Sequence, residues 1–511
     1  MHLLIFLFCG FYVAGSDQQL LNDATQVVMM RKGTRTVLAM ENSYQGPPDA
    51  FAMVVPVPVV LHEGDVKTLT KDVFTHVEQM GAPRLVEYWE QDPCAPMELE
   101  EGHFGKKDKQ TTDEPKAPAP DNGVKVEAKF AVGEYQIVIL SAKDSTGLDT
   151  WLRQNKYNIP QGAEPLLRPY VETGSKFFVA KIDPTKVKLE DGHAVLSPLR
   201  FHYDADELSL PVRLGMANSP GKQDLIVNIL APNQRYRVSN YPNVTIPTNF
   251  DVKDAVKDRF GQFYAALFDA TLAKNPGAVV TEYAWQATTC DPCPGPVLDE
   301  SEMQVLGADV LQGTREQPQR YDGSDFVLTR LHARYGKDLA NDLVFEQAKP
   351  IVGGRERRSG NGELEHGAEP AGVNNFQARY AIRHPWTGPI ACANPQRNVW
   401  GGPPAGQQAS EARAATGLAF AQRTGIALTE LVKGDVPEIA LKVGVAEVPP
   451  KLADAMTSSP AAPTAEARSD VQSGCCDTGG GSAGSVVLAA LAGLGIFGRD
   501  RRRMRRRALS S

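Results

Sequence analysis

Cys290-Asp-Pro-Cys293 is the thiol pair with the closest spacing in the body of the chain. Two thiols at that spacing can close a local disulfide, present one reactive thiolate or supply half of a metal site. Pro292, Pro294 and Gly295 make the stretch a loop, whereas a redox thiol is normally placed at a helix N-terminus, where the dipole lowers its pKa. A single Cys-x-x-Cys without a second pair is a weak zinc motif. Structural bonding, within the pair or to Cys94 or Cys392, is therefore the leading expectation, with redox chemistry and a half metal site as alternatives.

His202-Tyr-Asp204-Ala-Asp206-Glu207 places one histidine and three carboxylates close together. Asp204, Asp206 and Glu207 offer oxygen ligands for part of a calcium or other divalent site. Such stretches are more often solvated turns, so neither a metal nor a cofactor is expected. His332, in Leu331-His-Ala-Arg-Tyr335, and His384, before Pro385-Trp386, suit burial with hydrogen bonds as well as catalysis. No general acid–base pair can be named, and no catalytic residue is assigned. Gly480-Gly-Ser482-Ala-Gly484 matches a nucleophile elbow, and Gly479–Gly484 and Gly493–Gly498 match a dinucleotide fingerprint, but their context is low-complexity spacer rather than strand–turn–helix. The chain has no Walker A loop and no His-Glu-x-x-His.

At 511 residues the chain can bury a large core and more than one folding unit. Its net charge of −7 hides an asymmetry, because residues 499–507 hold seven Arg and one Asp, leaving −13 elsewhere. An acidic body with basic residues gathered at one chain end argues against a nucleic-acid partner. Seven cysteines are sparse for this length. Cys9, Cys94, Cys290, Cys293 and Cys392 are the disulfide candidates, and their odd number leaves one unpaired or a partner missing.

The elements that must position these residues read as β-rich. Residues 25–60 alternate polar and apolar and are rich in β-branched types, predicting strands joined at Arg31-Lys32-Gly33. Phe51–Val60 reads as a strand that its prolines force out of regular ladder pairing. A short helix is expected over Lys71–Met80, strands over Val124–Leu140 and Phe177–Ile182, and a buried run over Leu225–Leu230. Asp254–Ala273 has helical spacing, with Phe260, Tyr264, Leu267 and Leu272 on one face. Glu98–Gly123 is charged and Pro-rich, a disordered insertion. Arg355–Asn375 reads as a mobile loop, Ser410–Leu431 as one or two helices and Val448–Gly474 as a stalk.

The ends speak of export. Leu3–Phe8 is apolar but short and has no preceding Lys or Arg. Either 1–15 is a short signal peptide cut after Val13-Ala-Gly15, or 1–8 is a remnant and Cys9 belongs to the mature protein; Phe8 is too bulky to precede a lipidated Cys. At the other end, residues 479–498 carry no charge. As a helix at about 1.5 Å per residue this stretch just reaches across a hydrocarbon core of roughly 30 Å. Only Val486–Phe497 is strongly apolar, which suits a transient sorting signal better than a permanent anchor. The following arginines keep that end cytoplasmic.

Ser473-Gly-Cys475-Cys476, the Gly-Ser spacer, the apolar segment and the Arg run resemble the myxobacterial C-terminal sorting domain, MYXO-CTERM. That resemblance implies cleavage by a membrane-embedded processing enzyme, with Cys475 or Cys476 as the processing cysteine. The body resembles the bacterial domain-of-unknown-function 2330 proteins. The likeness rests on Cys9-Gly-Phe-Tyr, Asn42–Pro58, Tyr88-Trp-Glu-Gln-Asp-Pro-Cys94, Cys290-Asp-Pro-Cys293-Pro-Gly-Pro and Phe326–Tyr335. It implies export and a shared β-rich fold, and it carries over no catalytic residue. It also places Cys9 just after a signal peptide.

The expected architecture is an α+β, β-rich body of mixed and antiparallel sheets with a few helices, over residues 9–400. An Ala/Gly/Pro-rich region and stalk follows at 401–474, then a sorting tail at 475–511 with its apolar helix at 485–498. The expected function is a non-enzymatic binding or structural role at the cell envelope or surface. A secreted hydrolase with a dispersed site, and a thiol–disulfide oxidoreductase at Cys290 and Cys293, stand as alternatives. The partners expected are the membrane, at least transiently through the tail, and a sorting protease.

Overall fold

The computed structural model describes residues 11–12, 24–41, 52–94, 124–155, 157, 162–190, 193–218, 222–311, 325–336, 341–357, 364–404, 412–417, 423 and 425–443. The chain divides into a unit over Met1–Val445 and a second over Ala446–Ser511, which lies wholly outside the described residues. So do Cys9, the 98–123 insertion, the stalk and the apolar tail segment. Among the described residues no helix is long and apolar enough to cross a membrane.

The body is α+β and β-rich. Its largest sheet is mixed and runs, from one edge, Glu369–Pro370, Ile351–Gly353, Asn375–Gln377, Val279–Gln286, Phe326–Tyr335, Gln223–Pro232, Ala24–Lys32, Arg35–Met40, Leu199–Asp204 and Val66–Thr68. A second sheet orders Phe11–Tyr12, Ala52–Val57, Lys176–Ile182, Tyr135–Ala142 and Val124–Val132. The two pack face to face, because strand residues alternate between faces. Val27 and Met29 meet Met53, Ile137 and Phe178 in one core, while Val28 and Met30 point the other way, onto Phe74 and Val77 of the helix Lys71–Gly81. Helices Ser145–Gln154 and Glu164–Glu172 cover the outer face of the second sheet through Leu148, Leu152 and Leu167. The stack is helix, sheet, sheet, helix, and inner strands such as Gln223–Pro232 and Lys176–Ile182 are buried on both faces.

Several elements form where the sequence places them. Ala24–Lys32 and Arg35–Met40 make a hairpin whose turn is Gly33-Thr34, with Gly33 at φ 57°, a conformation glycine adopts without a Cβ clash. The helix Lys71–Gly81 and the strands Lys176–Ile182 and Gln223–Pro232 cover their expected segments. Val124–Leu140 becomes a hairpin, Val124–Val132 with Tyr135–Ala142.

Other elements differ, for physical reasons. Ala52–Val57 pairs with Lys176–Ile182 in unbroken register despite Pro56, and the strand ends before Pro58. On its other side the described strand Phe11–Tyr12 pairs with Val54 and Met53. The helix expected from Asp254 begins at Phe260, after a 3-10 turn at Asp254–Val256. Within Arg355–Asn375 the described residues are tied down, Asn249 Nδ2 donating to the Arg355 and Glu365 carbonyls while the Arg355 side chain pairs with Glu365. In Ser410–Leu431 the described residues hold a strand at Arg413–Ala414 and a 3-10 turn at Leu428–Glu430 instead of a helix. Leu431, Val432 and Val436 are buried beside the helix Phe260–Lys274, whose sides are therefore mostly covered.

Candidate functional site

The helix-covered face of the large sheet carries a line of polar side chains. The strand Phe326–Tyr335 presents Arg330, His332 and Arg334 on that face, at alternate positions, while Leu331 and Ala333 enter the core between the sheets. Neighbouring strands supply Asp224, opposite Arg334, and Glu282. Glu282 occupies a β-bulge, since the register with Phe326–Tyr335 passes from Thr281 to Tyr283, and the extra residue turns its carboxylate into the line. The helix Phe260–Lys274 adds Tyr264, Phe268 and Asp269 from above.

The groups form one connected network. His332 Nδ1 lies 2.6 Å from Glu282 Oε1 and its Nε2 lies 3.0 Å from Asp224 Oδ1, so each ring nitrogen faces a carboxylate oxygen. Arg330 Nε donates to Glu282 Oε2 at 2.7 Å and the Tyr264 hydroxyl to Glu282 Oε1 at 2.6 Å. Arg334 and Arg423 both donate to Asp224, and Arg423 lies over the Phe268 ring. The His332 ring is also stacked on Phe268, at 3.8 Å between centroids. Glu282, Arg330 and His332 are at most 1% exposed. The terminal nitrogens of Arg330 reach no hydrogen-bond acceptor, and Nη2 lies 3.8 Å from Glu78.

Electrostatics follow from this geometry. Burial alone would raise the Glu282 pKa, but the charges of His332 and Arg330 and the hydrogen bonds from His332 and Tyr264 bring it down to about 2. Burial alone would lower that of His332, and the Glu282 charge with hydrogen bonds to Asp224 and Glu282 outweighs it, holding it above its ordinary value. Burial and the Glu282 charge push the Tyr264 hydroxyl far up, so it stays a donor. A ring with both nitrogens on carboxylates has no lone pair for a substrate. The arrangement can hold charge and tie strands together, and it cannot act as a general base while closed.

The sulfurs lie elsewhere. Cys290 and Cys293 form one disulfide, and Cys94 and Cys392 another that spans 298 residues. Cys293 is exposed and Cys290 half-buried. Their loop is pinned by Arg84 Nη1 to the Pro292 carbonyl (2.9 Å), Gln79 Nε2 to Pro294 (2.9 Å) and Gln377 Nε2 to Asp291 (2.7 Å). The loop carrying Cys392 is gripped by Glu90, which accepts from the Trp386 and Asn398 amides and from both Arg397 donors. The Arg397 hydrogen bonds, with those amides, offset burial and hold the Glu90 pKa at about 2.

The remaining expected residues stay apart. Asp204 pairs bidentately with Arg35 at the surface, Asp206 and Glu207 are exposed, and His202 sits 3.5 Å from Asp65. Among the described residues no group of three His, Cys, Asp or Glu side chains is arranged to hold a metal ion. His384 is stacked on Trp89 and bound to Glu87. Cys475 and Cys476 lie outside the described residues. Sequence reasoning singled out His332 but missed Glu282, Asp224 and Arg330. The signal that could have found the line is the alternation of Arg330, His332 and Arg334 inside an otherwise apolar strand.

Residues 5–346 match the family described as "Uncharacterized protein conserved in bacteria (DUF2330)". No curated protein and no solved structure matches the chain.

Proposed function

Since the chain belongs to the DUF2330 family and that family names no reaction, we propose from the chain's own features that it is an exported cell-envelope protein with a binding or structural role. The observation that carries the reading is the pair of disulfides, Cys94–Cys392 above all, because such bonds persist in oxidising compartments outside the cytosol. The non-catalytic part is supported by the His332 ring, both of whose nitrogens are engaged by the Glu282 and Asp224 carboxylates. Delivery through a processed tail is supported by Cys475, Cys476, the apolar segment and the arginine run, with a membrane-embedded protease as the partner that acts on them. Protease shaving of intact cells, with fractionation, tests the placement. Release of body peptides without lysis is the expected result, and recovery of the whole chain from the cytosol with four free thiols in the body contradicts it.

The exposure of Cys293 favours one second reading, thiol–disulfide exchange at Cys290 and Cys293. Against it stand the three side chains that pin the loop. A reduced form that rapidly reduces a small aromatic disulfide and cycles with a dithiol would establish exchange; an inert pair would leave only the structural reading.

A further inference from the structure

Beyond that role, we infer that Glu282, His332 and Asp224 form a proton-linked latch, in which a doubly protonated His332 ties its strand to both neighbouring strands and removal of one ring proton loosens the seam.

The geometry carries the inference. Nδ1 of His332 is 2.6 Å from a carboxylate oxygen on one neighbouring strand, and Nε2 is 3.0 Å from a carboxylate oxygen on the other. Only the imidazolium can donate to both at once. A neutral ring would set a lone pair against one carboxylate, in a place 1% exposed where water cannot intervene. Both carboxylates have other donors, Arg330 and Tyr264 on Glu282 and Arg334 and Arg423 on Asp224, so neither is free to take the missing proton. The charged groups around the ring are Arg330 and Arg334 on its own strand, Glu282 and Asp224 on the flanking strands and Asp269 on the covering helix. Arg423 approaches from the chain beyond, and Glu78, on the helix Lys71–Gly81, stands behind Arg330. With His332 charged, four cations face four carboxylates, and losing its proton unbalances the set.

The direction of the pH response follows. The folded pKa of His332 is raised, so its contribution is fully present below the ordinary value of 6.5 and is lost as pH rises through the folded value. The folded pKa of Glu282 is lowered to about 2, so its contribution is present above 4.5 and is lost as pH falls toward the folded value. The seam is at full strength between those ordinary values and loosens on the alkaline side through His332.

Hydrogen–deuterium exchange on the full-length oxidised chain, corrected for intrinsic rates and stepped from pH 6 upward, tests the latch without a substitution. Peptides from Gln223–Pro232, Val279–Gln286 and Phe326–Tyr335 are expected to lose protection together, while Lys176–Ile182 and Tyr135–Ala142 in the other sheet keep theirs. Equal loss in both sheets, or none in either, overturns the proposal. A second measurement uses H332Q: its unfolding midpoint is expected to be nearly flat over the alkaline range where the parent's falls. A variant that keeps the parent's slope contradicts the latch, and if H332Q does not fold, the exchange experiment still decides.

Discussion

The buried seam at His332 and the disulfide Cys94–Cys392 on the sulfur-bearing rim solve the same problem, joining distant parts of the chain, by opposite means. The seam uses charges held out of water and paired across strands, Glu282 with Arg330 and His332 and Asp224 with His332 and Arg334. The rim uses covalent bonds near the surface, Cys94–Cys392 between two loops and Cys290–Cys293 within a third, with hydrogen bonds to set the loops in place. A buried charge contributes to a native structure only while its partners remain, whereas a disulfide acts mainly by restricting the unfolded chain. The two regions should therefore respond to different perturbations, the seam to pH and the rim to reductant.

Breaking the rim at its longest closure should have the largest effect. Cys94→Ala opens a bond of sequence separation 298, and chain-entropy reasoning places the loss at up to about 5 kcal/mol, read from the urea midpoint under oxidising conditions. The parent treated with reductant should show the same shift or more. Glu282→Gln should cost about 3–5 kcal/mol, because it leaves His332 and Arg330 buried without their shared counter-charge. Unlike the cysteine variant, it should also change the pH dependence of stability. An unaltered pH profile in Glu282→Gln would place the response outside the seam and dissolve the contrast.

Much of the local structure was legible in the sequence because it rests on short-range periodicity. Alternation over residues 25–60 predicted strands joined near Arg31-Lys32-Gly33, and a short helix was expected over Lys71–Met80. The seam was not legible, since its members are far apart in the chain: Asp224, Glu282 and His332 meet only through the order of strands in the sheet. A bulge moves Glu282 off the alternating pattern, so even a correct strand assignment would have misplaced its side chain. Likewise Cys94 could not be matched to Cys392 by spacing, because connectivity depends on which loops the small sheet of Arg84–Glu90, Arg379–His384 and Trp400–Gly401 brings together. Where a helix was expected near Ser410, the described Arg413 and Ala414 instead lie at a strand edge, paired with Leu85 and Arg84.

Two smaller effects sharpen the contrast. Replacing both Cys290 and Cys293 with Ala should cost only about 2 kcal/mol, since the loop they close is short and is already held by Arg84, Gln79 and Gln377. A much larger loss in calorimetry would mean that the pinning bonds depend on the disulfide. Asp204→Asn should change stability by less than about 0.5 kcal/mol, because its pair with Arg35 is solvent-exposed, and the change should shrink further in high salt.

The most direct test of the central claim, an exported body closed by disulfides, is non-reducing peptide mapping of the protein purified from its native cells after rapid thiol alkylation. Cys94 joined to Cys392 and Cys290 joined to Cys293, in material recovered from the envelope, is the predicted result. Four alkylated thiols at those positions in freshly isolated protein would contradict it.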